Sequence, residues 1–311
     1  MISVIVPTNR VGGLDLLFGG LAHQTHRDFE LILVDNIHKY RSEIVAHHAR
    51  DYSFPVKHIP PRDNAFPSQQ YCRTMNTGVA NSRGDVLVYL CDYSYLHPTC
   101  LETHARLQAE HNAPVTLDYR YVDLPPLKPG FGNYREQFAP NETNTEDFTA
   151  AVNDNAERYA ADLRAGRLDP YLWSIFAEPM TEEKVLAGRI EHEHKPSGAD
   201  LASDWNWCSF KNESFPAELV LDMNGCDEEY DLTHGYQDSE FSYRLRERGV
   251  RWYAGKPGEG LVTVVNPRPI MNIKRMPERL WLNRDLCFGS RAAALHLPVN
   301  PGWSLREWRA R

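Results

Sequence analysis

Residues 84–98, Gly-Asp-Val-Leu-Val-Tyr-Leu-Cys-Asp-Tyr-Ser-Tyr-Leu-His-Pro, constrain the fold more than any other stretch of the chain. Val86 to Leu90 is a nearly uninterrupted apolar, β-rich run, the pattern of a strand buried on both faces, and it stops abruptly at Cys91-Asp92-Tyr93-Ser94. Such a strand needs helices on both sides of its sheet. Ligands of open α/β sheets sit outside the carboxyl ends of the strands, so Asp92 stands where a ligand binds. A carboxylate on a tight turn there suits a hard divalent cation that carries phosphate oxygens, because Mg²⁺ and Mn²⁺ favour one or two carboxylates with phosphate and water. The plainer alternative is that Asp92 caps a helix beginning near Pro98.

The alternation of strand and helix recurs upstream. Ile2–Val6, stopped by Pro7, reads as a short buried strand; Thr8-Asn9-Arg10 is the loop after it, and Gly12-Gly13 leads into a helix near Leu14–His23. Phe29–Asp35 is a second strand ending in an acid, Glu43–Tyr52 the helix after it, and Pro55–Ile59 a third strand. Repeats spaced by roughly 25–30 residues predict a parallel sheet with helices on its faces. No G-x-G-x-x-G follows the first strand, so a dinucleotide-binding sheet lacks its phosphate signature. Residues 69–83 carry Tyr71, Met75 and Val79 at helical spacing and predict a helix that ends at Gly84 and delivers Arg73 or Asn76 to the crevice. For Arg73 the plainer reading is a solvated helix face.

With 311 residues, 42% hydrophobic and 24% charged, the chain can bury a full core. A formal net charge of −8 argues against wrapping nucleic acid on a wholly basic surface but leaves a local basic patch open. Cys72, Cys91, Cys100, Cys208, Cys226 and Cys287 form no CxxC pair and no metal-ligand spacing, and the chain opens on a strand-like run instead of a signal peptide. The expectation is a reduced, cytoplasmic protein. No apolar stretch approaches the roughly 18 residues that a membrane span needs, so no transmembrane segment is expected.

Ser3-Val-Ile-Val-Pro-Thr8, Gln24-Thr25 ahead of Phe29–Asp35, Asn76-Thr-Gly78 with Ala80 and Arg83-Gly84-Asp85, and Val88–Pro98 form an ordered set. Over about the first 105 residues this set resembles the nucleotide-sugar half of family-2 glycosyltransferases with the GT-A fold. The resemblance implies a Rossmann-like, mainly parallel sheet flanked by helices. It implies that Pro7, Thr8 and Asp35 line the nucleotide pocket, with Asp35 meeting the base, and that Asp92 belongs to a metal-binding D-x-D turn with Mn²⁺ or Mg²⁺ as cofactor. Arg10, Arg73 and Asn76 are further candidates at the donor site. The turn departs from the family pattern, in which two or three acids are usual and Tyr93 is no substitute for a carboxylate ligand. Three outcomes are open: a distant residue joins Asp92 on the metal, metal binding is weak, or positive side chains take over charge neutralisation.

Residues 115–200 are the variable middle. Val115–Val122 predicts a strand crossing to the acceptor half, and Pro125–Pro129 with Gly130 and Gly132 a loop. Glu146–Arg167, with Phe148, Val152, Tyr159 and Leu163 at helical intervals, predicts a helical insertion at about 140–195 that Met180–Glu191 continues. Glu191-His-Glu-His194 invites a metal reading, but a solvated loop is the simpler expectation.

Trp205–Lys211, the buried strand expected at Phe215–Leu221, Asn224–Glu228 and His234–Leu245 resemble the acceptor-side segment of the same enzymes. Gln237 replaces their usual Glu, and Asp238 keeps the Asp. An inverting transfer needs a carboxylate opposite the leaving nucleoside diphosphate to take the acceptor hydroxyl's proton, and the resemblance gives Asp238 that role. A helix N-terminus there stabilises the anion and lowers its basicity somewhat. Trp205 and Trp207 either floor an acceptor site by stacking or form the core and rim of a strand. Asp227, Glu228 and Gln237 are acceptor-side candidates.

Where family members often present a histidine after the strand at Val262–Val265, this chain has Asn266-Pro-Arg-Pro269. From Lys274 onward, Lys274, Arg275, Arg279, Arg284, Arg291, Arg306, Arg309 and Arg311 outweigh Glu278, Asp285 and Glu307, a basic C-terminal extension suited to a diphosphate or an anionic acceptor.

The expected organisation is a nucleotide-sugar half over residues 1–110, an acceptor half over 111–273 and the basic extension over 274–311. The function this implies is inverting transfer of a hexosyl group from a nucleotide-diphosphate sugar to a hydroxyl acceptor, whether glycan, lipid-linked, protein or modified nucleic acid. The alternatives are a catalytically inactive nucleotide-sugar-binding protein and a nucleotidyltransferase, whose glycine-rich basic loop is only faintly echoed by Thr8–Gly13.

Overall fold

The strands β1 (Ile2–Thr8) and β2 (Phe29–Asp35) are buried along their whole length, as apolar runs between two helical layers must be. The structure is a computed structural model describing residues 1–66, 70–123, 125–131, 157–195, 208–232, 237–265 and 299–311. Helices α1 (Leu14–Ala22), α2 (His38–Ala49), α3 (Tyr71–Ala80) and α4 (Cys100–His111) alternate with β1, β2, β3 (Val56–Ile59) and β4 (Val86–Tyr89), bearing out the βα repeat.

A seven-stranded sheet runs in the order β10-β6-β9-β4-β1-β2-β3, where β6 is Val115–Thr116, β9 Glu213–Pro216 and β10 Tyr253–Ala254. The pairings β1–β2, β1–β4, β2–β3 and β10–β6 are parallel, and β9 alone runs against its neighbours. The fold class is thus α/β with a mainly parallel sheet flanked by helices. Both halves of the chain contribute strands to this one sheet. A second sheet, in the order β5-β11-β7-β8, joins Ser94–Leu96 (β5), Val262–Val265 (β11), Tyr119–Val122 (β7) and Ile190–His194 (β8).

Successive side chains of the central strands enter opposite cores, as strand geometry requires. Val4, Val6, Leu31, Leu33 and Val88 meet α1 and α4 on one side. Ile5, Ile32, Val34, Leu87 and Tyr89 meet α3 on the other, together with α6 (Ala217–Asp222) and α7 (Gln237–Glu247). A third core packs the loop after β1, through Val11, against Tyr93 and Tyr159, Leu163 and Ile175 of the insertion. Of that insertion, 157–164 is helical and a short helix α5 (Glu182–Ala187) follows; its earlier part lies outside the described residues.

Three expectations change. Glu191–His194 is no loop: it is most of the edge strand β8, because alternation sets His194 and His192 opposite Tyr119 and Tyr121. Val115–Val122 divides at Leu117-Asp118 into strands of two different sheets. Phe215–Leu221 is strand only to Pro216, which cannot donate to a ladder, and Ala217, Val220 and Leu221 then bury one face of α6 at helical spacing.

Candidate active site

From β1 the chain winds outward through β2 and β3, then returns to place β4 on the opposite side of β1. The crevice between the carboxyl ends of β1 and β4 is therefore the topological switch point, where ligands of open α/β sheets bind. Thr8 ends β1, Arg10 follows it, and Asp92 follows β4 across the crevice. The structure brings these three together. Thr8 Oγ1 donates to Asp92 Oδ2 at 2.9 Å, Arg10 Nε donates to the same oxygen at 3.0 Å, and Arg10 Nη2 donates to Oδ1. The Arg10 guanidinium also lies 4.3 Å from the centroid of the Tyr93 ring. Tyr93 is held in turn: its backbone is left-handed (φ 60°), and its hydroxyl donates to the Val11 carbonyl. Arg10 is thus fixed on two sides.

Asp35 is fully buried and faces Arg41 of α2. Arg41 Nε and Nη2 donate to its two oxygens at 2.6 and 3.0 Å, His58 Nε2 donates at 2.8 Å, and the Ile37 N–H caps Oδ1 at 2.9 Å. Burial by itself raises a carboxyl's proton affinity; Arg41 and His58 overcome it and hold Asp35 below the usual carboxylate range. Arg41 continues the circuit, donating to the Arg10 carbonyl at 2.7 Å and to Thr8 Oγ1 at 3.1 Å. Asp35 therefore acts on the crevice through Arg41. Pro7 sits within β1, opposite Val34.

On the other flank of β4, the antiparallel register pairs Tyr89 with Glu213. Lys211 lies in the loop just before this pairing begins, close enough to Cys91 to act on its thiol. Glu213, wholly buried, shapes that approach by accepting from the backbone N–H groups of Ser209, Lys211 and Asn212. The half-buried Lys211 ammonium donates to the Ser209 carbonyl at 3.2 Å and lies 5.5 Å from the Tyr119 ring centroid. Burial lowers its proton affinity, but Tyr121, Tyr119, Asp238 and Cys91 around it raise it further, so the net shift is upward. Asp238 and Cys91 thus both lie within electrostatic reach of Lys211. It stands in the first turn of α7, its Oδ1 accepting the Ser239 N–H at 2.8 Å. Gln237 opens the same helix.

Arg73, Asn76 and Glu228 form a separate cluster. Glu228 accepts from Arg73 Nε at 3.1 Å, from Asn76 at 3.1 Å and from Arg62 at 2.7 Å, while Asn76 also brackets Cys226 through its backbone. Asp227 is buried and accepts the Glu229 N–H. Trp205 and Trp207 lie outside the described residues, as does the tail before residue 299. Within the rest of the tail, Arg306 pairs with Glu218 and Asp222, and Arg309 donates to the carbonyls of Ser82 and Gly84; both fasten α8 (Leu305–Arg309) to the body. Sequence reasoning missed Arg41, His58 and the role of Lys211. For Lys211 a signal existed, a lone cation in an aromatic-rich stretch.

A divalent cation on Asp92 competes for lone pairs that are already engaged, since both oxygens accept from Arg10 and Oδ2 also from Thr8. The neighbours Cys91 and Tyr93 are poor ligands for a hard cation. Among the described residues, no group of three or more His, Cys, Asp or Glu converges as a metal site. These residues do not fit the cation that the D-x-D resemblance implies, and no chemistry is routed through one.

No family model matches the chain. Over 147 residues it is 31% identical to an uncharacterised glycosyltransferase of Haemophilus influenzae; the match takes in 47% of each, so the chain aligns with about half the length of that relative. Residues 1–349 of S. aureus TarS, solved in complex with UDP-GlcNAc, superpose with a TM-score of 0.54 at 14% identity, covering 99% of this chain and 69% of that one. The corresponding UDP complex gives 0.52 at 14%, covering 99% and 68%. The likeness is one of fold. Among the described residues no helix is long and apolar enough to cross a membrane.

Proposed function

We propose that this chain is a glycosyltransferase that moves a sugar from a nucleotide-diphosphate donor to a hydroxyl acceptor with inversion at the anomeric carbon. One juxtaposition carries the reading: Thr8, Arg10 and Asp92 converge on the crevice at the carboxyl end of β4, and Lys211 lies within electrostatic reach of both Cys91 in that turn and the carboxylate of Asp238. The sequence likeness to a glycosyltransferase and the fold shared with TarS, solved with UDP and UDP-GlcNAc, support it. The donor lies with its diphosphate over the Cys91-Asp92 turn. Asp238 takes the acceptor hydroxyl's proton as that oxygen bonds to the anomeric carbon, and the bond from that carbon to the diphosphate breaks on the opposite face. Among the described residues Asp238 makes no ion pair, and it stands in the first turn of α7, where the helix dipole favours an anion. The acceptor is a glycan, lipid-linked sugar, protein side chain or hydroxylated base.

The test is release of nucleoside diphosphate from a panel of nucleotide sugars, uridine donors first, against representatives of each acceptor class. D238N is expected to lower kcat about 10²–10⁴-fold while donor affinity stays within about twofold of wild type. Full turnover by D238N removes the base from this scheme. A chain that binds donor with every acceptor present and never releases diphosphate is a binding protein, and pyrophosphate release from a nucleoside triphosphate identifies a nucleotidyltransferase.

A further inference from the structure

We infer that the donor diphosphate is held by Arg10 and Lys211 directly, without a divalent cation, and that Asp92 is the positioning carboxylate that aims Arg10. The inference rests on the nucleotide-sugar reading and specifies how that site binds its donor.

The strand order β9-β4-β1 sets the two cations on opposite flanks of the same turn. Arg10 comes from the β1 side, and Lys211 from the loop before β9, which pairs with β4 up to Tyr89 and Glu213; both cations lie close enough to Cys91 to act on its thiol. A diphosphate lying across Cys91-Asp92 meets a donor group on each side. Arg10 uses Nε and Nη2 on Asp92 and makes no protein hydrogen bond through Nη1 among the described residues; its side chain is 14% exposed. A guanidinium has five N–H donors, so those on Nη1 remain for a ligand. Lys211 has three donors: one goes to the Ser209 carbonyl and one to the Tyr121 hydroxyl, which leaves one for a ligand. No carboxylate lies within ion-pair distance of it among the described residues. Lys211 supplies the uncompensated charge, and Arg10 supplies donors whose direction the Asp92 fork and the Tyr93 ring have already set. Phosphate oxygens favour charged donors in a partly desolvated site, where salt screens them little.

A cation at Asp92 must first displace the same guanidinium. The two arrangements therefore exclude each other, and donor binding distinguishes them without any knowledge of the acceptor. The probes are UDP, ADP, GDP, CDP and dTDP, titrated calorimetrically against the full chain in EDTA and then in Mn²⁺. Wild type is expected to bind one of them with a Kd that Mn²⁺ changes by no more than about twofold, and K211M to weaken that Kd about tenfold or more. Lys211→Met keeps most of the stem, so the fold survives. D92N loosens Arg10 and is expected to weaken binding equally in EDTA and in Mn²⁺ while the melting temperature stays near that of wild type, whereas a general structural defect lowers the melting temperature along with the binding. Binding that needs Mn²⁺, vanishes in D92N and is unchanged in K211M overturns the inference and leaves the transferase reading intact. No binding of any diphosphate in either condition overturns the transferase reading and the inference with it.

Discussion

The two flanks of β4 treat charge in opposite ways. On the β1 side, Asp35 and Asp92 each take a bidentate arginine, and Arg41 ties both pairs into one hydrogen-bonded circuit through Thr8. On the β9 side, Asp238 lies within electrostatic reach of Lys211, and neither makes an ion pair among the described residues. A buried charge without a partner is costly, so the first flank is complete as it stands. The second flank keeps its charges only because they remain partly open to solvent. Their partners come from outside the chain. One flank therefore reads as a preset frame from which Arg10 reaches a ligand, and the other as the flank whose charges are left open, although both contain the same kinds of residue.

The comparison breaks most decisively at Arg41. R41M leaves the Asp35 carboxylate buried with only His58 and one N–H, and is expected to cost about 3–5 kcal/mol in urea denaturation. Adding D35L to R41M removes the stranded charge and is expected to recover most of the loss, since a buried pair is often replaceable by apolar side chains of similar volume. K211M, on the open flank, is expected to change stability by less than about 1 kcal/mol. If R41M and K211M cost the same, the distinction between preset frame and open flank fails.

The difference between the flanks was only partly legible in the sequence. The strands β1, β2 and β4 were legible because a short, unbroken apolar run between turn residues fits little besides a strand buried on both faces, and Asp92 followed from the position where β4 stops. Its partner was not. Arg10 lies 82 residues away, and only the sheet order brings the ends of β1 and β4 together. Asp35 showed as an acid ending a strand, but nothing in Asp35 to Arg41 announced that both oxygens of that acid are used within its own βα unit. Lys211 needed the antiparallel insertion of β9, hidden because Pro216 divides a continuous apolar run into strand and helix. The alternating Glu and His of β8 looked solvated because its partner, β7, supplies the aromatic rings that make an edge strand there favourable.

The open flank has its own underpinning, and pH sharpens the contrast. His104 of α4 is fully buried between Ser214 and Asn212, with Nδ1 2.9 Å from Ser214 Oγ and Nε2 3.0 Å from Asn212 Oδ1. Asn212 uses its amide N–H groups on the carbonyls of Asp118 and Gly260, so its oxygen accepts and His104 Nε2 is the donor. Nδ1 then accepts from Ser214, and the ring is neutral. Burial pushes the imidazole's pKa down to about 4, with the Asn212 bond opposing only in part. The unfolded chain binds the proton from about pH 6.5 downward and the folded chain only near 4, so stability is complete above 6.5 and falls as the pH drops through that window. Between pH 7 and pH 5 the loss from His104 is about 2 kcal/mol. H104Q is expected to flatten that part of the acid limb in paired denaturation curves, although His97, also held down to about 4, keeps some slope in both. Parallel curves for wild type and H104Q place the titrating group elsewhere.

The smallest effect tests whether the paired flank depends on its aromatic backing. Gly13 has φ 71°, and a Cβ there falls 1.8 Å from the Tyr93 ring, closer than any contact allows. The ring on which Arg10 lies is thus packed directly against the glycine. Gly19, one helical stretch further on, has nothing within 4 Å of its own absent Cβ. Alanine at Gly19 costs nothing in the folded state and removes freedom from the unfolded one, so G19A is expected to stabilise by about 0.5–1 kcal/mol. G13A carries a left-handed penalty of roughly 1–2 kcal/mol and must also push Tyr93 aside. It is expected to lower the melting temperature and to weaken diphosphate binding together, because Arg10 loses its second support while Asp92 is untouched. If G13A destabilises the chain but binds the diphosphate as tightly as G19A does, the Asp92 fork alone suffices to aim Arg10, and Tyr93 belongs to the core and not to the site.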